Sequence, residues 1–404
     1  MERALLIYAG PLRGGDLDFY VDELRGLADA AGAEVAGEVV QSTQEPDPRS
    51  YLGRGKAEEA RQDADEFGAT LAIAAHPLGA SQQRHLEEAL GRPVVDRTAL
   101  ILDIFAQRAQ SSEGKLQVEL AQLAYWLPRL RRSAGSLSRL GGGIGTRGPG
   151  ESKIETDRRH IRARMAEIRA RLARVERQRS VSRAQRGSLA RIALVGYTNA
   201  GKSTLLHALT ASGGGEDRLF ATLDPTTRRL ELGGHQEILL TDTVGFVQNL
   251  PTELVAAFRA TLEETRQADL LLHVIDASHP RWSDQERAVL DTLEEIGAVS
   301  QPTLTVYNKV DLLLPAARAQ LPGVAVAART GEGIEDLRDQ IAKALAARRT
   351  RRTFRVPHQR GDVLALIAAH GEVLSRRSDG EGTTVDVEIE ADWAGRIAAL
   401  LARG

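Results

Sequence analysis

Residues 192–204 read Ile192-Ala193-Leu194-Val195-Gly196-Tyr197-Thr198-Asn199-Ala200-Gly201-Lys202-Ser203-Thr204. The opening apolar run has the length and composition of a buried strand, and Leu205, Leu206 and Leu209 continue as the apolar side of a helix. Between strand and helix stands G-x-x-x-x-G-K-S. Its glycines let the backbone curl until successive N–H groups face a phosphate chain, and the helix N-terminus adds its dipole. Lys202 is placed to reach the β and γ phosphates and the Ser203 hydroxyl to ligate Mg²⁺. This stretch predicts a nucleoside triphosphate site on an α/β fold with a mainly parallel sheet.

Further along, Thr303-Leu304-Thr305-Val306 is a second strand, ending in Tyr307-Asn308-Lys309-Val310-Asp311. A carboxylate such as Asp311 accepts from both N1–H and the exocyclic amine of guanine, whereas adenine lacks that donor pair. Asn308 is expected on the base edge and the Lys309 stem over the ring. Ala327-Ala328-Arg329, after another short strand, is expected to offer a backbone N–H to the guanine O6. Leu239-Leu240-Thr241-Asp242-Thr243-Val244-Gly245 places a carboxylate near Mg²⁺ and the Gly245 N–H at the γ phosphate. Phe220-Ala221-Thr222-Leu223-Asp224 reads as the first switch, with Thr222 completing the metal set of Ser203 and Asp242; Thr226 and Thr227 remain alternatives to Thr222. Lys202, Thr222 and Gly245 are then the catalytic group. Phe246 follows Gly245 where a water-orienting Gln stands in the best-known small GTPases. Phe cannot hydrogen-bond water, which predicts slow intrinsic hydrolysis. Asn199 raises K⁺ as an additional cofactor.

The chain has 404 residues, 42% apolar and 27% charged, without cysteine. This excludes a disulfide scaffold, a thiol nucleophile and a thiolate metal site. No apolar run is long enough to span a bilayer. The expected location is cytoplasmic, with peripheral membrane contact allowed, and the expected state is a monomer.

Net charge is −2, but residues 129–191 carry 18 Lys and Arg against 5 Asp and Glu, so the remainder is strongly acidic. One basic segment in an acidic chain points to a polyanion partner at one place. Only six of the bases are Lys, and two of these are Lys202 and Lys309.

Leading into and through the basic segment, Leu116, Leu120, Leu123, Leu127 and Leu130 recur at helical spacing. Ile154, Ile161, Ile168 and Val175 recur every seven residues, with Met165 and Leu172 beside them. Two such stripes separated by a loop predict an antiparallel helical hairpin; the alternative is that each stripe docks on a neighbouring domain. The intervening loop, 137–150, holds six glycines in its last ten residues. Arg131, Arg132, Arg139 and Arg147 lie in or beside it. Backbone that approaches closely plus guanidinium forks suits a structured anion, RNA above all.

The organisation expected is an N-terminal α/β domain (1–112), the hairpin with its basic tip (113–188, its last stretch from 178 a polar linker), the nucleotide domain (189–350) and a β-α-β-β-α C-terminal domain (351–404).

With these motifs in place the chain resembles the HflX family of translation-factor-class GTPases. The resemblance rests on Tyr51-Leu52-Gly53-Arg54-Gly55-Lys56, on 97–108, on Ser112-Glu113-Gly114-Lys115 and Leu127-Pro128-Arg129-Leu130, and above all on 137–150 with Asp157-Arg158-Arg159. It implies a GTPase that binds GTP and GDP and attaches to the large ribosomal subunit and its RNA. Arg158 and Arg159 then join the RNA-binding set. It also implies splitting or rescue of stalled or idle ribosomes, and ATP binding by the N-terminal domain. A GTP-dependent RNA-binding factor for subunit assembly is the alternative; a membrane-associated regulator of proteolysis is disfavoured. The chain departs from the family at Ala327, where Ser is usual.

Overall fold

A computed structural model describes residues 2–11, 16–130, 149–185, 189–210, 219–220, 222–233, 236–248, 254, 259–347 and 349–402. The expected tip loop (131–148), the glycines of 213–215 and Ala221 lie outside the described residues, and with them Arg131, Arg132, Arg139 and Arg147.

The N-terminal unit alternates strands β1 (Arg3–Gly10), β2 (Glu34–Ser42), β3 (Leu71–Ala74) and β4 (Val94–Asp96) with helices α1 (Asp16–Ala31), α2 (Arg54–Glu66), α3 (Ala80–Leu90) and α4 (Arg97–Arg108). The strands are parallel in the order β2-β1-β3-β4. β1 is buried from Ala4 to Gly10 because helices cover both faces of the sheet, so its sequence is continuously apolar rather than alternating.

Helices α5 (Ser112–Arg129) and α6 (Pro149–Gln185) form the expected hairpin. Leu120, Met165 and Ile168 are its buried contact, flanked by Leu116, Leu123, Leu127, Ile161 and Leu172. The Arg164 guanidinium clamps both oxygens of Glu119 at 2.7 and 2.8 Å. The opposite side of α5, with Val118, Ala121 and Tyr125, joins the N-terminal core, so this helix both pairs and docks. The polar linker expected from 178 is instead helix as far as Gln185. Its Arg, Gln and Ala are good helix formers, and polarity alone does not end a helix.

The nucleotide unit follows with β5 (Ala190–Gly196), α7 (Lys202–Thr210), β6 (Thr226–Leu232), β7 (Gln236–Asp242), α8 (Arg259–Arg266), β8 (Leu270–Asp276), α9 (Trp282–Glu295), β9 (Thr303–Asn308), α10 (Pro315–Arg318), β10 (Val324–Ala325) and α11 (Ile334–Ala346). Its sheet runs β10-β9-β8-β5-β7-β6, with only β6 antiparallel to its neighbour. One core spans this unit and the N-terminal one: Ile101 and Phe105 belong to the same cluster as Val195, Phe220 and Phe246, and the Phe105 and Phe220 rings meet edge to face at 4.7 Å.

The last unit, β11 (Arg349–Pro357), α12 (Gly361–His370), β12 (Gly371–Ser378), β13 (Gly382–Glu390) and α13 (Ala391–Ala402), is an antiparallel sheet, β11-β13-β12, with its own core around Val356, Ile367, Val387 and Ile397. Among the described residues no helix is long and apolar enough to cross a membrane.

Candidate active site

The loop from β5 to α7 adopts conformations that its sequence permits. Gly196 (φ 155°) lies against the backbone of Val274, which leaves no room for a side chain, and Gly201 (φ 92°) lies equally close to the Asn308 amide. Asn199 is exposed and left-handed at φ 62°. Thr198 and Ala200 are buried supports whose N–H groups bond within the protein, to Phe246 O at 2.7 Å and Tyr197 O at 3.2 Å. The N–H groups of Asn199, Gly201 and Lys202 make no such bond among the described residues, leaving donors for a phosphate.

Lys202 is buried. Its ammonium donates to Gly196 O at 3.1 Å and Tyr197 O at 2.9 Å. Burial lowers its pKa to about 8 against the opposing pull of Asp242. A Cβ on Gly245 would stand 2.8 Å from Thr198 Cα and 3.2 Å from Lys202 Nζ, so only glycine brings that backbone against the ammonium. Thr243 anchors the segment by donating to Leu194 O at 2.7 Å, and Val244 is buried beside it. Thr204 follows in the first turn of α7.

Three oxygens converge next to Lys202. Ser203 Oγ donates to Asp242 Oδ2 at 2.6 Å and stands 2.8 Å from Thr222 Oγ1. The other Asp242 oxygen is buried without a hydrogen-bond partner. Thr226 sits opposite Asp242 in the β6–β7 ladder and Thr227 pairs with Thr241 at 2.9 Å, both on the exposed start of β6 and neither bonded to Ser203 among the described residues. Of the three, Thr222 is the one hydrogen-bonded to Ser203 among the described residues.

At the far end, Asn308 is buried and engaged at both ends: Nδ2 donates to Ala200 O at 2.9 Å, and Oδ1 accepts from Ala328 N at 3.0 Å. It ties the phosphate loop to the 327–329 loop, a positioning role beyond the base contact expected. Ala327 N–H is likewise spent, on Glu332 O at 2.9 Å, so Arg329 holds the one backbone N–H of these three without a partner among the described residues. Lys309, at φ 62°, is steered by Asp276 at 2.8 Å. Asp311 is half-buried and has no hydrogen-bond or ion-pair partner among the described residues.

Four family models match successive parts of the chain: a GTP-binding GTPase N-terminal region over 18–106, a GTP-binding GTPase middle region over 108–186, a 50S ribosome-binding GTPase over 191–309 and an HflX C-terminal domain over 313–403. The GTPase HflX of Caldanaerobacter subterraneus subsp. tengcongensis is 44% identical over 399 residues, covering 98% of this chain and 93% of its own. The chain belongs to the HflX family of GTPases. The GTPase HflX of Escherichia coli K12 is 45% identical over 370 residues, covering 89% and 87%. A solved GTP-binding protein from Sulfolobus solfataricus in complex with GDP is 24% identical, covering 86% of this chain and 99% of its own, with a TM-score of 0.45.

In this HflX-family chain the side chains flanking Thr222, in the stretch read as the first switch, are engaged within the protein. Phe220 and Leu223 bury their side chains in the shared core, and Phe220 N–H donates to Thr198 Oγ1 at 3.0 Å. The Asp224 carboxylate accepts from the N–H groups of Gln110 and Ser111 at 3.0 and 2.8 Å and from the Ser111 hydroxyl. The side chains of these three residues, expected on the nucleotide, hold the switch to α4 and the start of α5 instead. Tyr197 is turned similarly. Its hydroxyl donates to Glu23 and accepts from Gln248 N–H at 3.0 Å, while Glu23 pairs with buried Arg97 at 2.5 Å. Burial and the Glu23 carboxylate push the Tyr197 hydroxyl pKa well up, so it remains a proton donor. Sequence reasoning missed Glu23 and Arg97. Nothing local marks them, since α1 carries Asp22, Arg25 and Asp29 beside Glu23 and α4 carries Asp103 and Arg108 beside Arg97, and the hydroxyl they serve is 174 positions from Glu23. Of the expected RNA contacts within the described residues, Arg159 is exposed and Arg158 half-buried.

Proposed function

We propose that this GTPase binds the large ribosomal subunit in its GTP state and separates stalled or idle ribosomes, with hydrolysis as the release step. The observation that carries the reading is the direct tie from Asp224, two residues after Thr222, to the start of α5, the first arm of the basic hairpin. A switch that reorders around a γ phosphate thereby pulls on the arm that presents arginines to RNA. Arg162, Arg169, Arg171, Arg174 and Arg177 are exposed along α6, a row suited to phosphate contacts. The relatives are named GTPase HflX, and the model matched over 191–309 describes a 50S ribosome-binding GTPase, which supports the same reading.

In this proposal Lys202 and the free loop N–H groups hold the β and γ phosphates, and Gly245 N–H meets the γ phosphate. Asp311 takes the guanine N1–H and amine, and Arg329 N–H the O6. Ser203, Thr222 and Asp242 fit Mg²⁺: they are hard oxygen donors within hydrogen-bond reach of one another, and one buried carboxylate oxygen lacks any partner. Bound there, Mg²⁺ would neutralise charge on the β and γ oxygens. Phe246 is fully buried against the core and cannot orient water, so the intrinsic rate is slow and the ribosome supplies what is lacking. Exposed Asn199 makes K⁺ stimulation part of the same proposal, read by exchanging K⁺ for Na⁺.

Sedimentation of intact ribosomes with the protein and a β,γ-imido GTP analogue tests it. Separated subunits are expected; joined subunits with bound protein would favour the assembly reading. Turnover with and without large subunits tests the rate, and a fast isolated protein would contradict it.

A further inference from the structure

Strand β11 is an edge. It pairs with β13 on one side, and no strand among the described residues pairs with the other. Beside that free edge, between β11 and α13, runs an open channel of about 560 Å³ lined by Arg352, Phe354, Arg355, Gly395, Ala398 and Leu401. The channel exists because α13 faces the strand with small residues: a Cβ added at Gly395 would meet nothing within 4 Å. Among the described residues its lining contains no carboxylate. Arg355 is neutralised at its outer end by Glu381 at 2.8 Å, and neighbouring Arg351 is held by Asp386. Arg352, which lies on the same side of the strand as Phe354 and Val356, has no ion-pair or hydrogen-bond partner among the described residues.

We propose that this groove captures an extended acidic peptide of a partner protein, which adds to β11 as a fourth strand and sets a carboxylate on Arg352. Three candidate occupants are separated by chemistry. The outer edge of a strand alternates N–H donors with C=O acceptors, and only another peptide backbone satisfies both. A nucleic-acid phosphate chain only accepts and would leave the carbonyls unpaired. A second copy paired antiparallel about Arg352 would oppose that unpaired guanidinium to its own copy, and like charges opposed across strands repel. An acidic partner strand meets both the hydrogen-bonding pattern and the charge.

The test uses the full chain and a labelled peptide of four Glu-Val repeats, with a Lys-Val peptide and an oligouridylate of equal length as comparators. Anisotropy should show binding of the acidic peptide alone. Amide exchange across residues 350–356 should slow at least tenfold at saturation. Gly395→Leu fills the channel where space is free and replaces a poor helix former, so it should melt no lower than wild type yet weaken binding at least tenfold. Arg352→Glu should do the same, with GTP turnover unchanged. Unprotected β11 amides at saturation, equal binding of the Lys-Val peptide, or a Gly395→Leu protein that binds normally would overturn the proposal. Oligouridylate binding that depends on Arg352 without protecting the strand would assign the groove to nucleic acid.

Discussion

The Asp224 carboxylate grips the first turn of helix α5 through Ser111, accepting both its N–H and its hydroxyl, with Gln110 N–H as a third donor. Ser111 is itself the helix cap, since its Oγ accepts from Gly114 N–H at 2.8 Å, and any side chain at Gly114 would collide with Asp224. A charged acceptor at a helix N-terminus is favoured by the unpaired N–H groups and the dipole there. Asp224→Ala is therefore expected to cost about 1–2 kcal/mol of stability. It should leave nucleotide affinity within about twofold, because among the described residues the Asp224 carboxylate bonds to Gln110 and Ser111 and not to the phosphate loop. Amide exchange at 112–115 should accelerate, and the difference in large-subunit affinity between GTP and GDP states should shrink. An unchanged difference would remove Asp224 from the coupling.

Tyr197→Phe deletes one hydroxyl that serves two units. Gln248 N–H then loses its acceptor and Glu23 one of its donors, while the Arg97–Glu23 pair survives. A loss of about 1–3 kcal/mol is expected. Glu23→Gln should cost more, about 3–5 kcal/mol, because it removes the carboxylate charge opposite a buried guanidinium. Denaturant unfolding of both singles and the double gives the coupling, and strictly additive losses would show that the three groups do not act as one network.

Strand and helix order were readable in the sequence wherever periodicity was local. β1, with its continuous apolar run, and the heptad of Ile161 and Ile168 are of that kind. The phosphate loop was readable because its chemistry lies within nine consecutive residues. The direction of Phe220, Leu223 and Asp224 was not, since their partners Phe105, Gln110 and Ser111 lie more than a hundred positions earlier and nothing near residue 220 announces them. Asn308 shows the same limit at the site itself. Its type was expected, but its use as a brace between Ala200 and Ala328 depends on two loops meeting in space.

Lys202 makes nucleotide affinity sensitive to alkaline pH. Burial lowers its folded pKa to about 8 from an ordinary 10.5. The free protein therefore loses this proton as pH rises through 8, whereas phosphate binding requires the ammonium. Apparent GTP affinity should fall roughly fivefold between pH 7 and 8.7, by the usual titration factor. The sign for stability is opposite. The unfolded chain holds this proton up to 10.5, so the free protein gains stability from this group between about pH 8 and 10.5. Calorimetric titration with GTP across this range checks the first statement. Affinity that stays flat or rises would mean the ammonium is retained without the nucleotide.

Asp311→Asn should exchange base specificity. A carboxylate beside guanine accepts twice, from N1–H and from the 2-amine. Xanthine keeps N1–H but carries a carbonyl at position 2, so the native carboxylate would face it acceptor to acceptor. An Asn amide still accepts from N1–H through its oxygen and now donates through its nitrogen to that carbonyl. With guanine the same nitrogen meets an amine, donor against donor. Asp311 is half-buried and has no protein partner among the described residues, so this substitution disturbs no existing bond there. Mismatches of this kind between polar groups cost on the order of a hundredfold or more. The expected outcome is a loss of GTP turnover and a gain with xanthosine triphosphate. Asn308→Ala, which removes the brace between two loops, should by contrast weaken both nucleotides alike. Equal discrimination by Asp311→Asn and wild type would place the base elsewhere.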